Sequence, residues 1–453
     1  MQSTNKPTTF TEGKLFQPLV TFAIPILFAI FLQAMYGAVD LLIIGQFGSP
    51  ADVSAVATGS HVMQSITSII VGLAMGTTIL VGQRIGQGRS QEAGNVIGSS
   101  ICIFAIAALC LTVTVVPFAP ALSRIMQAPL EAFDNTVLYV RICAVGSVFI
   151  IAYNVLGSIF RGLGDSKTPL FAVLIACIIN IAGDLLFVAV FHMGVAGAAI
   201  ATVFAQAISV LLSFCVIRKK GMPFTFSRKN IRLHPGLPTQ ILRLGAPIAL
   251  QDGLVSISFL VITAIVNSLG VIPSAGVGVA EKLASFILLV PSAFSQATSA
   301  FVAQNYGARQ IARAKKSLFY AITTSLCFGL IMSYFSFFHG DLLAGIFSED
   351  KQVVLAAWDY MKAYSIDCLL TAFMFCFTGY FNGCGRTSFV MVQGIIGAFL
   401  VRIPVSYLMS RMTPVSLFHV GLATPASTLV QIFFCVVYYQ VVNRQLKQME
   451  LQK

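Results

Sequence analysis

Two carboxylates stand in this sequence with no counter-charge beside them. Asp40 lies within "MYGAVDLLIIGQFG" (Met35 to Gly48) and Asp184 within "NIAGDLLF" (Asn180 to Phe187), each surrounded by apolar residues and by no Lys or Arg. A carboxylate in hydrocarbon costs roughly 2.5–3.5 kcal/mol on insertion scales. Two of them sharing one dry pocket cannot both stay ionised cheaply, so such a pair holds a proton or binds a cation such as Na⁺. On a helix, Asn180 shares a face with Asp184 four residues later. Gln33 and Tyr36 likewise share a face with Asp40. Thr202 supplies a hydroxyl at similar depth. The expected chemistry is reversible binding of H⁺ or Na⁺ by Asp40, Asn180, Asp184 and Thr202, with no resident cofactor. The competing reading is structural, in which Asp40 or Asp184 hydrogen-bonds a neighbouring helix or pairs with Arg141.

The elements that must hold these groups are membrane helices. The chain has 453 residues, of which 57% are hydrophobic and 10% charged, against ~25% charged in ordinary soluble domains. A helix needs ~20 mostly apolar residues to cross a bilayer. Twelve runs qualify, near 16–46, 54–82, 93–119, 137–160, 168–191, 194–217, 241–268, 275–304, 315–338, 355–382, 388–410 and 417–442. They are long and continuously apolar, unlike the alternating segments of a membrane β-barrel. The fold class is therefore an all-α integral membrane protein with twelve transmembrane helices. Asp40 and Asp184 each fall about seven residues from the outer end of their spans, and Thr202 about eight residues into its own. All three lie roughly 10 Å deep at 1.5 Å per residue.

The formal charge of +12 is informative through its placement. One set of alternate loops, with the span ends beside them, carries most of the Lys and Arg, including the run from Arg218 to Arg243. The opposite set holds Arg124, Lys351 and Arg411. That asymmetry predicts a multi-pass protein with both termini in the cytoplasm. It makes the basic loop a topology signal facing the lipid bilayer rather than a nucleic-acid site. The polar stretch Met1 to Lys14 is not expected to be a signal peptide. The ten cysteines form no C-x-x-C pair and read as small apolar residues.

The chain repeats itself. "VGQRIGQGRSQEA" from Val81 matches "VAQNYGARQIARA" from Val302, and "FRGLG" from Phe160 matches "FNGCG" from Phe381, both at an offset of 221. "AIPI" at Ala23 matches "GAPI" at Gly245 at 222, which sets Pro25 opposite Pro247. The expected domains are an N-lobe over 1–217, a cytoplasmic basic linker over 218–240 and a C-lobe over 241–453. Six spans is an even number, so the two pseudo-symmetric six-helix lobes share one orientation and are expected to flank a central cleft.

The halves differ where polarity is concerned. Asp40 faces Ile262, Asn180 faces Val401 and Asp184 faces Val405, so the first-half polar groups are not demanded by the repeat. The second half holds Asp252, Glu281, Lys282, Asp367 and Arg402, whose mixed signs predict internal ion pairs of Arg402 with Asp367 or Glu281. Asp367 and Arg402 are also candidates for lining a cavity. Pro25, inside the first span, favours a kink, which either couples cation binding at Asp40 to helix movement or merely shapes the lobe.

The first-helix stretch "AIPILFAIFLQAMYGAVDLLIIGQFG", the "GQRIGQG" turn, "FRGLGDSKTP" and "NIAGDLLF", in this order along nearly the whole chain, resemble the multidrug and toxic compound extrusion (MATE) transporters. Within that family the acid of the first helix and the N-x-x-x-D of the fifth resemble the DinF-like branch, whose N-lobe carboxylates are implicated in cation coupling. The resemblance carries this to Asp40, Asn180 and Asp184, with Thr202, Tyr36, Gln33 and Tyr139 as neighbours. The acid that the NorM-like branch places in the tenth helix is Thr371 here, with Asp367 one turn away. Membership implies no enzyme activity. It implies a monomer in a bacterial or archaeal plasma membrane that exports amphipathic, often cationic compounds in exchange for H⁺ or Na⁺. The alternative within the superfamily is a flippase for lipid-linked oligosaccharides or cell-wall precursors. That would call for central Lys or Arg to hold pyrophosphate, a role for which Arg402 is the candidate.

Overall fold

A computed structural model describes residues 10–222 and 224–451, and among them every regular element is helical. Eleven helices are long and apolar enough to cross a membrane, and a bent pair makes a twelfth. In chain order they are α1 (Phe16–Phe47), α2 (Pro50–Gly86), α3 (Ser90–Ile125), the bent α4 (Leu130–Val145 with Ser147–Leu163), α5 (Lys167–Val190) and α6 (Gly194–Lys219). There follow α7 (Leu237–Asn267), α8 (Val271–Gly307), α9 (Ile311–Phe338), α10 (Lys351–Gly383), α11 (Thr387–Ser410) and α12 (Leu417–Arg444). Each overlaps its expected run.

Local chemistry sets the boundaries. Ser49 and Asp52 form a reciprocal cap on α2, with Pro50 at its first position. The two contacts satisfy backbone N–H groups that a helix start leaves without partners. The first half's "FRGLGDSKTP" ends α4 at Gly164, whose φ of +85° suits a residue without a side chain. The Asp165 carboxylate then accepts from the Lys167 and Thr168 amides, both at 3.0 Å, and starts α5.

The 56° bend in α4 was not visible in a run that reads as continuously apolar. A Cβ on Gly146 would run into Val203 of α6, so the close approach of α6 fixes the site of the break. Hydroxyls satisfy the backbone around it: Thr112 of α3 donates to the Ala144 carbonyl at 2.9 Å, and Ser147 donates to Ala108 at 3.2 Å. Broken helix at membrane depth is tolerated only with such partners.

The sequence repeat is also a repeat of backbone. Gly164 and Gly385 both take positive φ, and so do Gly88 and Arg309 at the same offset although the residue type differs. A Cβ on Gly162 would meet the Thr78 carbonyl at 2.9 Å, and one on Gly383 would meet the equivalent Ser299 carbonyl at 2.6 Å. Glycine is what lets α4 and α2, and likewise α10 and α8, approach so closely.

The chain forms two compact units. One is built mainly from Ile24–Ala249, the other from Thr11–Ala23 and the chain from Leu250 onward. Thus α1 passes from the second unit to the first beside Pro25, and α7 passes from the first to the second just after Pro247. Within the second unit the Arg313 guanidinium donates to the Gly13 and Glu12 carbonyls at 2.9 and 3.1 Å, and Phe16 meets Tyr320 edge-on. Within the first, Gly76 lies directly against the Ile241 backbone. Outward-facing Leu109, Val113 and Phe118 on α3 are each more than 60% exposed, a surface suited to lipid and not to water.

Candidate functional site

The first unit gathers the predicted polar groups into its interior. Asp40 on α1 is 4% exposed, Asp184 on α5 0% and Asn180, one turn earlier, 1%. Asp184 and Asn180 lie beside the Asp40 carboxylate. Thr202 of α6 donates to Asp40 Oδ2 at 3.4 Å, a long contact, and also bonds the Ala198 carbonyl at 3.1 Å. Asp40 Oδ1, both Asp184 oxygens and both amide atoms of Asn180 have no protein partner. Buried polar atoms are nearly always satisfied, so this concentration of exceptions is the salient property of the site. Two carboxylates carry no hydrogen for one another unless a proton lies between them.

The surrounding wall adds three more helical segments, α2 and the two limbs of α4. Tyr139 on the first limb of α4, 3% exposed, is a neighbour of Asp40 and Thr202 and accepts from Ser60 of α2 at 3.0 Å. Tyr36 neighbours Asp40 and Gln206 of α6. Gln33 donates to the Tyr153 hydroxyl of the second α4 limb at 2.8 Å. A small cavity is lined by Tyr36, Tyr153, Asn180, Thr202, Gln206 and small apolar residues. All seven residues expected in the first half, Gln33, Tyr36, Asp40, Tyr139, Asn180, Asp184 and Thr202, therefore converge. Sequence reasoning missed Tyr153, Gln206 and Ser60. Of these, Gln206 was within reach, since it follows Thr202 by one turn on the same face.

The pairing of the acids with Arg141 does not form. Arg141 is exposed and donates instead to the Val116 carbonyl at 3.3 Å. Arg161 of α4, half-buried, neighbours Tyr153 and bonds Ser158, and forms no ion pair with either carboxylate. The oxygen set of Asp40, Asp184, Asn180 and Thr202 is hard and partly anionic, which fits H⁺ or a small hard cation such as Na⁺. Among the described residues no group of three or more His, Cys, Asp or Glu side chains is placed to hold a metal ion.

Asp367 of α10 and Arg402 of α11 lie buried in the second unit at 3% and 5% exposure. The expected ion pairs are corrected: neither Asp367 nor Glu281 comes within 4.0 Å of Arg402. The guanidinium donates to Ser258 of α7 at 3.2 Å and lies 4.5 Å over the Phe259 ring. An aromatic face offers a dry guanidinium a partner that does not itself need desolvating as an anion would. Pro25 lies inside a continuous α1.

The MatE family profile matches this chain twice, at residues 25–186 and 247–408, one match per half. The chain is 27% identical to the probable multidrug resistance protein YpnP of Bacillus subtilis over 89% of this chain and 91% of that protein. It is 25% identical to the probable multidrug resistance protein YoeA of the same organism, over 97% and 96%. A crystal structure of a MATE protein in a bent conformation superimposes with a TM-score of 0.92 at 22% identity, over 98% of this chain and 99% of that one. The chain belongs to the MatE family, a multi-pass membrane protein of the MATE transporter fold.

Proposed function

We propose that this protein is a cation-coupled multidrug exporter that exchanges external H⁺ or Na⁺ for amphipathic, often cationic compounds by alternating access. The observation that carries the reading is the pair of buried carboxylates, Asp40 and Asp184, whose oxygens have a single long contact, from Thr202, and no Lys or Arg partner. A pocket with two acids and no fixed cation is electrostatically incomplete, and either a coupling ion or a cationic substrate completes it. Competition for the same negative charge supplies the exchange. An external ion entering the pocket neutralises Asp40 and Asp184, weakens their hold on a cationic compound and promotes its release; ion release on the inner side restores affinity. The family membership and the names of the curated relatives support drug export as the transported direction. Asn180 and Thr202 offer neutral oxygens to either ion, and the charge distribution of the loops supports cytoplasmic termini.

The test is efflux of ethidium, a fluorescent organic cation, from proteoliposomes under an imposed pH gradient or an imposed Na⁺ gradient. Ion-driven efflux is expected with one of the two. Ion-independent lipid scrambling with no cation movement would replace this reading with the flippase alternative.

A further inference from the structure

The segment between α6 and α7 joins the two halves of the sequence, a task that needs only length. It is instead fastened along the start of α3. Gln91 donates to the Thr225 carbonyl and the Thr225 hydroxyl donates back to the Gln91 side chain, both at 3.1 Å. The Asn230 amide, on a side chain 8% exposed, donates to Asn95 at 2.9 Å. Ser99 donates to the Arg232 carbonyl and accepts from the His234 backbone N–H, both at 3.2 Å. Two glycines of α3 form the seat: a Cβ on Gly94 would press on the Phe224 ring at 3.1 Å, and one on Gly98 would collide with the Asn230 carbonyl. Gly98 lies about 12 Å along α3 from its first residue, at 1.5 Å per residue. Two turns beyond Ser99 comes Ile106, 52% exposed, where the lipid-facing surface of α3 begins.

Fastening turns one side of the segment inward and the other outward. Phe224 and Phe226 pack against the core of the first unit. Lys229, Ile231, Arg232 and Leu233 are exposed, the two aliphatic side chains by 42% and 51%. From Arg218 to Arg243 the chain carries seven basic residues, and no Asp or Glu stands anywhere between Asp184 and Asp252. Glu92, the one acid of α3, is already held by Arg84 and Arg89 at 3.5 and 3.7 Å. Among the described residues neither Lys229 nor Arg232 enters an ion pair. A topology signal needs these charges during insertion and no fixed seat for them, so the fastening calls for a partner outside the chain. We infer that this segment is a docking surface for anionic phospholipid: Lys229 and Arg232 take headgroup phosphates, while Ile231 and Leu233 enter among the upper acyl chains. A soluble phosphate would account for the cations but not for two exposed aliphatic side chains interleaved with them; a lipid accounts for both. The segment leads directly into α7, whose Ile241 backbone lies against Gly76, so a bound lipid secures the piece that completes the first unit.

The experiment is thermal unfolding of the purified full chain in detergent micelles titrated with dioleoylphosphatidylglycerol, with dioleoylphosphatidylcholine and inorganic phosphate in parallel arms. Phosphatidylglycerol is expected to raise the unfolding temperature, and the other two are not. In Lys229→Gln with Arg232→Gln the phosphatidylglycerol concentration that gives half the effect rises about thirtyfold, as for two cations lost from an anionic surface. Arg309→Gln with Lys316→Gln removes the same charge from exposed positions of the second unit and stays at the native value. Ile231→Ser with Leu233→Ser keeps every charge and still weakens the response severalfold. All of these side chains are exposed, and unfolding of each variant at the native temperature in phosphatidylcholine shows that its fold is intact. An equal shift in the two charge-removing pairs would mean that net charge alone draws the lipid. Stabilisation by inorganic phosphate to the same extent would mean a site for a soluble anion. Either result overturns the inference, and so does native protein that responds equally to the two lipids.

Discussion

Replacing Asp184 with Asn should stabilise the protein when no coupling ion is present and should remove its response to that ion. The side chain is fully buried, neither oxygen has a partner, and the second acid, Asp40, is 4% exposed beside it. Converting one carboxylate into an isosteric amide relieves roughly 2.5–3.5 kcal/mol of buried-charge cost and removes the like-charge repulsion with Asp40. In native protein the same relief comes from the bound ion, worth ~2.7 kcal/mol at a concentration one hundred times its Kd. Two stability curves follow. In Na⁺-free buffer at high pH the Asn variant is the more stable by about 3 kcal/mol; as H⁺ or Na⁺ is added the native curve rises to meet a flat one. The assay is thermal unfolding in detergent read with a thiol-reactive fluorophore. Cys143, Cys177, Cys368, Cys376, Cys384 and Cys435 are buried and become reactive only on unfolding. A variant less stable than native in ion-poor buffer by 1 kcal/mol or more would show that the carboxylate is structurally partnered. A variant that keeps the native ion response would show that the ion binds elsewhere. Either result refutes the reasoning.

Further expectations concern the same pocket. Asp40→Asn should abolish ion-driven ethidium efflux while leaving the protein inserted and folded, whereas Asp367→Asn should impair efflux less; the comparison is made in proteoliposomes at equal protein content. Thr202→Val removes the hydroxyl that donates to Asp40 and should weaken ion affinity by about tenfold, as expected for one net hydrogen bond to a charged group, measured from the ion dependence of thermal unfolding. Gly59→Ala places a Cβ 2.5 Å from the Tyr139 ring and should displace that ring from beside Asp40. It should cost about 1–3 kcal/mol of stability and lower efflux, and Gly59→Ala with Tyr139→Leu should recover the stability and not the transport.

Most of the architecture was legible because a bilayer reads length and polarity, the two things a bare sequence states plainly. The twelve spans, the repeat and the convergence of Asp40, Asn180, Asp184 and Thr202 all follow from apolar runs, offsets and depth counting. The bend in α4 was not legible. Gly146 stands in an apolar run, and what breaks the helix there is Val203 and two hydroxyls from other parts of the chain. Tyr153 and Ser60 escaped for a related reason, since a Tyr or Ser in a membrane helix looks the same whether it faces a pocket or packs. Arg402 was correctly singled out and wrongly partnered. Counting charges favoured a carboxylate, while the geometry of α7 offered Ser258 and the adjacent Phe259.

The crossing of α1 and α7 between units bears on how the molecule is made. The first unit draws its last piece, the stretch up to Ala249, from the opening of the seventh span. A nascent chain with six helices inserted therefore still lacks the Ile241 backbone on which Gly76 rests. The second unit has the reverse schedule: Thr11–Ala23, which its Arg313 grips, is synthesised before any other part of it and must wait for the ninth span. A chain interrupted at the linker leaves both units unfinished: the first lacks the opening of α7, and the second has only Thr11–Ala23.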